Sequence, residues 1–75
     1  MTVVIRYFAN LRELRGTPEE SREISPGSTA ASLYRDLGLP AALPVAFAVN
    51  QERVAGTTVL CDGDEVVFLP PLGGG

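Results

Sequence analysis

Residues 62–75, Asp-Gly-Asp-Glu-Val-Val-Phe-Leu-Pro-Pro-Leu-Gly-Gly-Gly, contain the stretch that decides the fold. Val, Phe and Leu dominate residues 65–69, which predicts a β-strand. The two prolines end that strand, because proline cannot donate to a sheet ladder. Three glycines follow, and they have no side chain to pack. The sequence therefore predicts a folded domain over residues 1–69 and a flexible tail over residues 70–75.

A second β-like run, residues 2–9, lies at the other end of the sequence. Successive side chains in a strand point to opposite faces. One face of the two strands carries Val3, Ile5, Tyr7, Val66 and Phe68. The other face carries Val4, Arg6, Phe8, Val67 and Leu69. The arginine indicates that this second face is the outer one, so we expect Val4 and Phe8 to be at least half-exposed.

Weaker patterns follow the first strand. Residues 10–16 predict a helical turn that Asn10 caps and a final glycine ends. Leu11 and Leu14 are three residues apart, so we expect them on one face of this turn. Residues 21–25 predict a short, charged second strand.

The main helix is predicted over residues 30–37, with Thr29 as its N-cap. Leu33 and Leu37 are one turn apart and should face the core. The side chains expected toward solvent are Tyr34, Arg35 and Asp36.

The second half of the chain reads as strands and turns. Residues 45–49 are uniformly apolar, which predicts an interior strand. Residues 50–53 read as a turn, and a brief return strand begins at Val54. Asp62-Gly63 is a tight-turn dipeptide before the last strand.

The predicted order is strand, strand, helix, strand, strand, strand. Two hairpins around one packing helix are typical of a β-grasp, an α+β fold with a mixed sheet of four to five strands against one main helix. The first and last strands would pair in parallel at the centre, joined by a crossover. Length alone would also allow other small α+β folds.

The charged residues exclude several classes of function. All six basic residues are arginines, histidine is absent, and nine acidic residues bring the net charge to −3. No basic patch is available for nucleic acid. Without His and Lys the commonest general base and the Schiff-base nucleophile are missing. We therefore expect a chain that catalyses nothing by itself.

Cys61 is the only cysteine, and no signal-peptide or membrane-spanning pattern is present. This predicts a reducing, cytoplasmic location and no association with a membrane. No neighbouring His or Lys lowers the pKa of this thiol, so we interpret Cys61 as a small residue before a turn. The Asp62–Glu65 segment lacks the spacing of a calcium loop, and we predict no metal site.

Three segments resemble one family. Residues 7–16, Tyr-Phe-Ala-Asn-Leu-Arg-Glu-Leu-Arg-Gly, are similar to the opening of the small subunit of molybdopterin synthase. Residues 48–51, Ala-Val-Asn-Gln, and residues 62–75 are similar to its middle and end. Together, in this order and spacing, they identify the chain as similar to the MoaD/ThiS group of ubiquitin-like sulfur carriers. Gly73 departs from the Thr or Ser more usual there, and residues 56–60 are not diagnostic.

This resemblance implies a ubiquitin-like β-grasp whose C-terminal glycine is the reactive group. It implies that an E1-like enzyme adenylates the Gly75 carboxylate with ATP and Mg²⁺, and that sulfur then gives a thiocarboxylate. The chain itself would bind no cofactor. The tail would insert into the large synthase subunit, which would use the sulfur to build the dithiolene of the molybdenum cofactor, within an expected heterotetramer. The residues implied for insertion are Pro70, Pro71, Leu72, Gly73 and Gly74.

The outer face of the two long strands is the predicted docking surface. Phe8, Val67 and Leu69, with Val4 beside them, would form an apolar patch on the strand that leads into the tail. At its rim, the arginines Arg6 and Arg53 either pair with acids of a partner or remain solvated.

Other functions remain open at this point. The same carrier chemistry serves thiamine, cysteine, tRNA thiolation or a secondary metabolite. A ubiquitin-like modifier attached to lysines of other proteins is a second alternative, and a plain binding module without tail chemistry is a third.

Overall fold

The computed structural model describes residues 1–71. They form, in chain order, β1 (Thr2–Tyr7), α1 (Ala9–Arg15), β2 (Glu19–Glu23), α2 (Ala30–Asp36), β3 (Ala46–Val49), β4 (Glu52–Val54) and β5 (Glu65–Leu69). Every predicted element is present, and β5 has the predicted bounds. The four residues that follow Pro71, and with them most of the predicted tail, lie outside the described part of the chain.

The strands form one mixed sheet in the order β2-β1-β5-β3-β4. β5 is central and runs parallel to β1, with Tyr7 opposite Phe68, whereas the other neighbours are antiparallel. A parallel pair needs a crossover connection, and the chain between β1 and β5 supplies it with α2. The prediction of a mixed β-grasp sheet with a parallel central pair is confirmed.

The core lies between the sheet and α2. Val3 and Ile5 of β1, Leu33 of α2 and Val66 and Phe68 of β5 are at most 2% exposed. Within β1 and β5, these buried residues alternate with residues that point away from α2, as the period of two in a strand requires. The predicted core faces of β1 and β5, and the predicted positions of Leu33 and Leu37, are confirmed.

Tyr34 is buried, at 6% exposure, and the prediction that it points toward solvent was wrong. Its ring meets Phe68 edge-on, with 5.1 Å between ring centroids. Its hydroxyl donates a 2.7 Å hydrogen bond to the Pro40 carbonyl oxygen. The loop after α2 therefore supplies the polar partner that lets a tyrosine enter the core. Arg35 and Asp36 are exposed, as predicted.

The N-cap of α1 lies two residues earlier than predicted. Phe8, not Asn10, is the N-cap, and its side chain makes no capping hydrogen bond. Leu11 is buried, whereas Leu14, three residues later, is 60% exposed. Gly16 ends the helix in the left-handed conformation at φ 73°, as predicted.

Two edge strands also differ from their predicted bounds. β2 begins at Glu19, because its pairing with β1 is fixed by Arg6 opposite Glu19 and Thr2 opposite Glu23. β4 already includes Glu52 and Arg53, which had been predicted as part of a turn. Among residues 1–71, no helix is long and apolar enough to cross a membrane.

Candidate functional site

The start of the tail lies at one end of the central strand. β5 ends at Leu69, Pro70 is half-buried and Pro71 is exposed. Parallel pairing places Tyr7 opposite Phe68, so the next residue of each strand, Phe8 and Leu69, are neighbours at this end. The chain therefore leaves the sheet beside Phe8. The predicted reactive and insertion residues Leu72, Gly73, Gly74 and Gly75 lie outside the described residues.

The sheet face turned away from the α2 core is called the open face here. Register and alternation place on it Glu19, Ser21 and Glu23 of β2, Val4, Arg6 and Phe8 of β1 and its extension, Glu65, Val67 and Leu69 of β5, Ala46 and Ala48 of β3, and Arg53 of β4. All the residues predicted for the docking surface and its rim are on this face: Phe8, Val67, Leu69, Val4, Arg6 and Arg53.

The apolar part of the open face is centred on the tail exit. Phe8 is 48% exposed, and its extended backbone continues the alternation of β1. Leu69 is half-buried and pairs with Ala46 of β3. Val67 is only 9% exposed, so it adds little area to the surface. A partner that docks here would contact mainly Phe8 and Leu69, immediately beside the emerging tail.

Arg6 is already paired within the chain. Its Nε lies 3.2 Å from a Glu19 oxygen on one side and 3.1 Å from a Glu65 oxygen on the other. This double pairing links β2, β1 and β5 across the open face, and it could not be read from the sequence without the strand register. Arg53 is exposed, and it has no ion-pair partner within 4.0 Å among residues 1–71. The charge of Arg6 is therefore balanced within residues 1–71, whereas that of Arg53 is not.

The acidic turn before β5 is fastened by hydrogen bonds of its own. Asp62 accepts a 2.8 Å bond from the Thr2 N–H, and Asp64 accepts a 2.8 Å bond from the Cys61 N–H. Asn50 donates to Asp64 at 2.9 Å, and its side-chain oxygen accepts from the Glu65 N–H at 3.0 Å. The carboxylates of Asp62 and Asp64 accept hydrogen bonds from backbone N–H groups, and these bonds stabilise the turn. Among residues 1–71 no cluster of three His, Cys, Asp or Glu side chains is arranged to hold a metal ion.

Two of the three motifs that carry the resemblance thus meet at one structural joint. Asn50 belongs to the Ala-Val-Asn-Gln segment, and Asp64 and Glu65 belong to the segment before the tail. Their hydrogen bonds tie the β3–β4 turn to the start of β5. In the register of β5 with β1 and β3, Val67 and Leu69 lie on the open face.

A charged cluster supports β1 from the core side near the tail exit. Glu20 accepts hydrogen bonds from the Tyr7 hydroxyl at 2.7 Å and from Arg15 at 2.8 Å. These hydrogen bonds, that of Tyr7 first, lower the pKa of Glu20. Burial raises the pKa of Tyr7, and the bond to Glu20 raises it further. Arg15 also lies over the Tyr7 ring, 5.8 Å from its centroid, and donates to the Leu37 carbonyl oxygen.

Residues 56–60, which had no role in the sequence analysis, hold the start of α2. The N–H groups of Ala30 and Ala31 donate to the carbonyl oxygens of Thr58 and Gly56, at 3.1 and 2.9 Å. The first N–H groups of a helix have no partner within the helix, so this loop completes the cap. Thr29 and Ser32 add a reciprocal capping box, which confirms the predicted N-cap. Backbone partners of this kind leave no signal in the sequence.

Cys61 is a free, exposed thiol in the turn before β5. Because β5 runs from this turn to Leu69, Cys61 is at the end of the sheet opposite the tail exit. An open groove of about 510 Å³ beside α1 is lined by Ala9, Arg12, Glu13, Gly16, Thr17 and Pro18. The described part of the chain offers a surface and an exit for its terminus.

Taken together, the fold and the site define a small ubiquitin-like β-grasp protein whose open sheet face adjoins an emerging C-terminal segment. The model of the ThiS family matches residues 5–75, and this chain belongs to that family.

Relatives with curated names agree on one role. A molybdopterin synthase sulfur carrier subunit of Chlamydomonas reinhardtii is 37% identical, with full coverage of both chains. One of the same name from Mycobacterium tuberculosis is 36% identical and covers 97% of this chain and 96% of its own. Both names describe a carrier subunit, in agreement with the prediction of a non-catalytic subunit and sulfur donor.

Solved structures show the same fold. A putative molybdopterin converting factor subunit 1 from Pyrococcus furiosus is 28% identical, with a TM-score of 0.80 over 96% of this chain and 99% of its own. The complex of subunits 1 and 2 of the molybdopterin-converting factor from Helicobacter pylori gives a TM-score of 0.65 at 25% identity, with full coverage of both chains. Small archaeal modifier protein 1 from Methanosarcina acetivorans is 25% identical, with a TM-score of 0.74 over 99% of this chain and 96% of its own.

Proposed function

We propose that this chain is the sulfur carrier and small subunit of molybdopterin synthase, and that Gly75 bears the transferred sulfur. The observation that carries the proposal is the similarity over the whole chain to sulfur carrier subunits of that synthase. The prediction of a MoaD/ThiS carrier, made from three sequence segments, agrees with the family match.

The chemistry requires activation by a second protein. A free carboxylate is a poor acyl donor, so ATP with Mg²⁺ first transfers AMP to the Gly75 carboxylate and releases pyrophosphate. A sulfide sulfur then attacks the acyl carbon, AMP leaves, and a thiocarboxylate remains. Because the chain contains no histidine or lysine, an E1-like enzyme supplies the catalytic groups. Gly73 and Gly74 admit close contact from all sides in such an enzyme, since they have no Cβ.

The thiocarboxylate would then be used in a larger assembly. The Helicobacter pylori structure is a complex of subunits 1 and 2 of its molybdopterin-converting factor. By analogy, the tail from Pro70 to Gly75 enters the large subunit while Phe8 and Leu69 dock on its surface, in a heterotetramer of two carriers and two large subunits. The assembly works in the cytoplasm, where the exposed Cys61 stays reduced.

Intact-mass measurement tests the carrier chemistry. The chain is incubated with an E1-like enzyme of the same genome, ATP, Mg²⁺ and a sulfur donor. We expect the mass to rise by the difference between sulfur and oxygen, and a variant lacking Gly75 to show no rise. Because Gly75 belongs to the tail predicted from the sequence, its deletion should leave the melting temperature unchanged. An unmodified wild-type chain under conditions that modify a known carrier would refute the proposal.

A second function has one specific observation in its favour. The likeness to small archaeal modifier protein 1 from Methanosarcina acetivorans makes attachment of Gly75 to lysines of other proteins a candidate. Higher-mass adducts of the tagged chain in a cell lysate, lost when Gly75 is deleted, would support it. A thiocarboxylate without adducts would leave the carrier role alone.

A further inference from the structure

The open face carries an ordered row of side chains across all five strands of the described sheet. Cα pairing aligns Glu19 with Arg6, Arg6 with Val67, Val67 with Ala48, and Ala48 with Arg53. The middle of this row is apolar and its two ends are charged. The ends differ in sign.

The β2 end of the row is acidic. Arg6 lies between Glu19 and Glu65, at 3.2 and 3.1 Å, so this trio has a net charge of −1. Glu23 lies further along β2 on the same face and is exposed. The guanidinium of Arg6 is held by its own chain, so it offers no net positive charge to a partner.

The β4 end is basic. Arg53 is exposed and has no acidic side chain within 4.0 Å among residues 1–71. Its strand neighbour Glu52 points to the other face, because successive residues of a strand alternate. The chain as a whole has a net charge of −3, and Arg53, unpaired among residues 1–71, is a positive charge at one end of the open face. The charge of this face therefore changes sign from the β2 end to the β4 end.

We infer that the open face is a dipolar docking surface, and that its partner protein carries a carboxylate opposite Arg53 and a cation opposite the Glu19 edge. This inference rests on the proposed function, since the partner considered is the large subunit of molybdopterin synthase. An apolar patch such as Phe8 and Leu69 supplies affinity but allows several orientations, including one turned by half a revolution. Opposite charges at the two ends of the face favour a single orientation of the partner, because the reversed complex would bring like charges together. The correct orientation decides whether the tail beside Phe8 points into the partner.

Charge-reversal variants test this inference. Binding of the large subunit from the same genome is measured for the wild type, Arg53→Glu, Glu19→Arg and the matched control Arg35→Glu. Arg35 is exposed on α2, in the layer opposite the open face. We expect each open-face variant to raise the dissociation constant about tenfold at low salt and the control to leave it unchanged. At about 1 M salt, where the Debye length falls to about 3 Å, the difference should largely disappear.

The outcomes separate this inference from the function on which it rests. Equal affinities for Arg53→Glu and Arg35→Glu, with tight wild-type binding and normal thiocarboxylate formation, would overturn the dipolar surface and leave the carrier role intact. A wild-type chain that neither binds the large subunit nor forms a thiocarboxylate would overturn both. Restoration of the affinity of Arg53→Glu by an Asp or Glu to Arg change in the large subunit would identify the carboxylate opposite Arg53.

Discussion

The carbonyl oxygen of Gly56 accepts a 2.9 Å hydrogen bond from the N–H of Ala31, and the two residues are in contact at the start of α2. A Cβ added at Gly56 would lie 3.0 Å from the Ala31 Cβ and 3.0 Å from Cε2 of Phe47. The absence of a side chain at this position is what allows the loop after β4 to approach the helix and cap it. A loop that the sequence left without a role therefore joins the two layers of the fold.

Gly56→Ala is expected to lower the free energy of unfolding by about 1 to 3 kcal/mol, the usual cost of overpacking. Both neighbours that the new Cβ would meet belong to packed elements, so neither can move away freely. Urea unfolding measures the change. Thr57→Ala, at the exposed next position, is the control and should stay within about 0.5 kcal/mol of the wild type. Equal stability of Gly56→Ala and the wild type would show that the loop is not held against α2.

Much of the fold followed from the sequence because its central strands alternate clearly. Val3, Ile5 and Tyr7, and then Val66 and Phe68, carry the signal, and all five are buried as predicted. β2 reads Glu-Glu-Ser-Arg-Glu and has no apolar alternation, so its bounds depend on pairing with β1 and were shifted in the prediction.

The burial of individual helix residues was harder to predict than that of strand residues. The environment of a helix residue depends on segments that are distant in sequence or on the loop that follows. Tyr34 is buried because Pro40 accepts its hydroxyl and Phe68 meets its ring. Leu14 is exposed although Leu11, three residues earlier, is buried. Neither fact is visible in the spacing of apolar residues.

The candidate site was predictable in composition but not in its electrostatics. Alternation placed Phe8, Val67 and Leu69 on one face. The pairing of Arg6 with two glutamates required the register of three strands. The absence of an ion-pair partner for Arg53 among residues 1–71 could likewise be seen only from the position of β4 in the sheet.

Gln51→Gly is expected to raise the free energy of unfolding by about 0.5 to 1 kcal/mol. Asn50 and Gln51 form the β3–β4 turn with positive φ values of 51° and 70°. Two-residue hairpin turns of this kind favour Asn-Gly, because glycine adopts positive φ without steric cost. Thermal unfolding measures the gain. Glu52→Gly, one residue later within β4, should have the opposite effect, and stabilisation by both changes would contradict this account.

Glu20→Gln is expected to reduce the acid sensitivity of the fold. Hydrogen bonds from Tyr7 and Arg15 lower the pKa of Glu20 in the folded state below its ordinary value of 4.5. A carboxyl group with a lowered folded-state pKa stabilises the protein above its unfolded-state pKa, and this stabilisation is lost as the pH falls through the folded-state pKa. The wild type should therefore lose about 1 kcal/mol more than the variant below about pH 4.5, since charged hydrogen bonds of this kind are worth roughly that much.

The measurement for Glu20 is the melting temperature as a function of pH from neutral to acid. Glu13→Gln is the control, because Glu13 is exposed on α1 and makes no ion pair among residues 1–71. Its curve should run parallel to that of the wild type. Parallel curves for Glu20→Gln and the wild type would mean that the cluster of Tyr7, Glu20 and Arg15 contributes nothing that depends on protonation.

Phe8→Asp is expected to weaken binding to the large synthase subunit by about tenfold or more while changing the stability of the carrier little. Phe8 is 48% exposed beside the tail exit, and exposed aromatic residues at the centre of a docking surface often dominate affinity.

Phe8 is also the N-cap of α1 and makes no side-chain capping bond. Phe8 is half-exposed and aspartate is a preferred N-cap residue, so the free energy of unfolding should stay within about 0.5 kcal/mol of the wild type. Val59→Asp is the matched control, because Val59 is 57% exposed next to the start of α2, away from the open face. Calorimetric titration and thermal unfolding of both variants separate the two effects. Weaker binding together with a lower melting temperature for Phe8→Asp would trace the loss to the fold, and equal losses of affinity in the two variants would place the docking surface elsewhere.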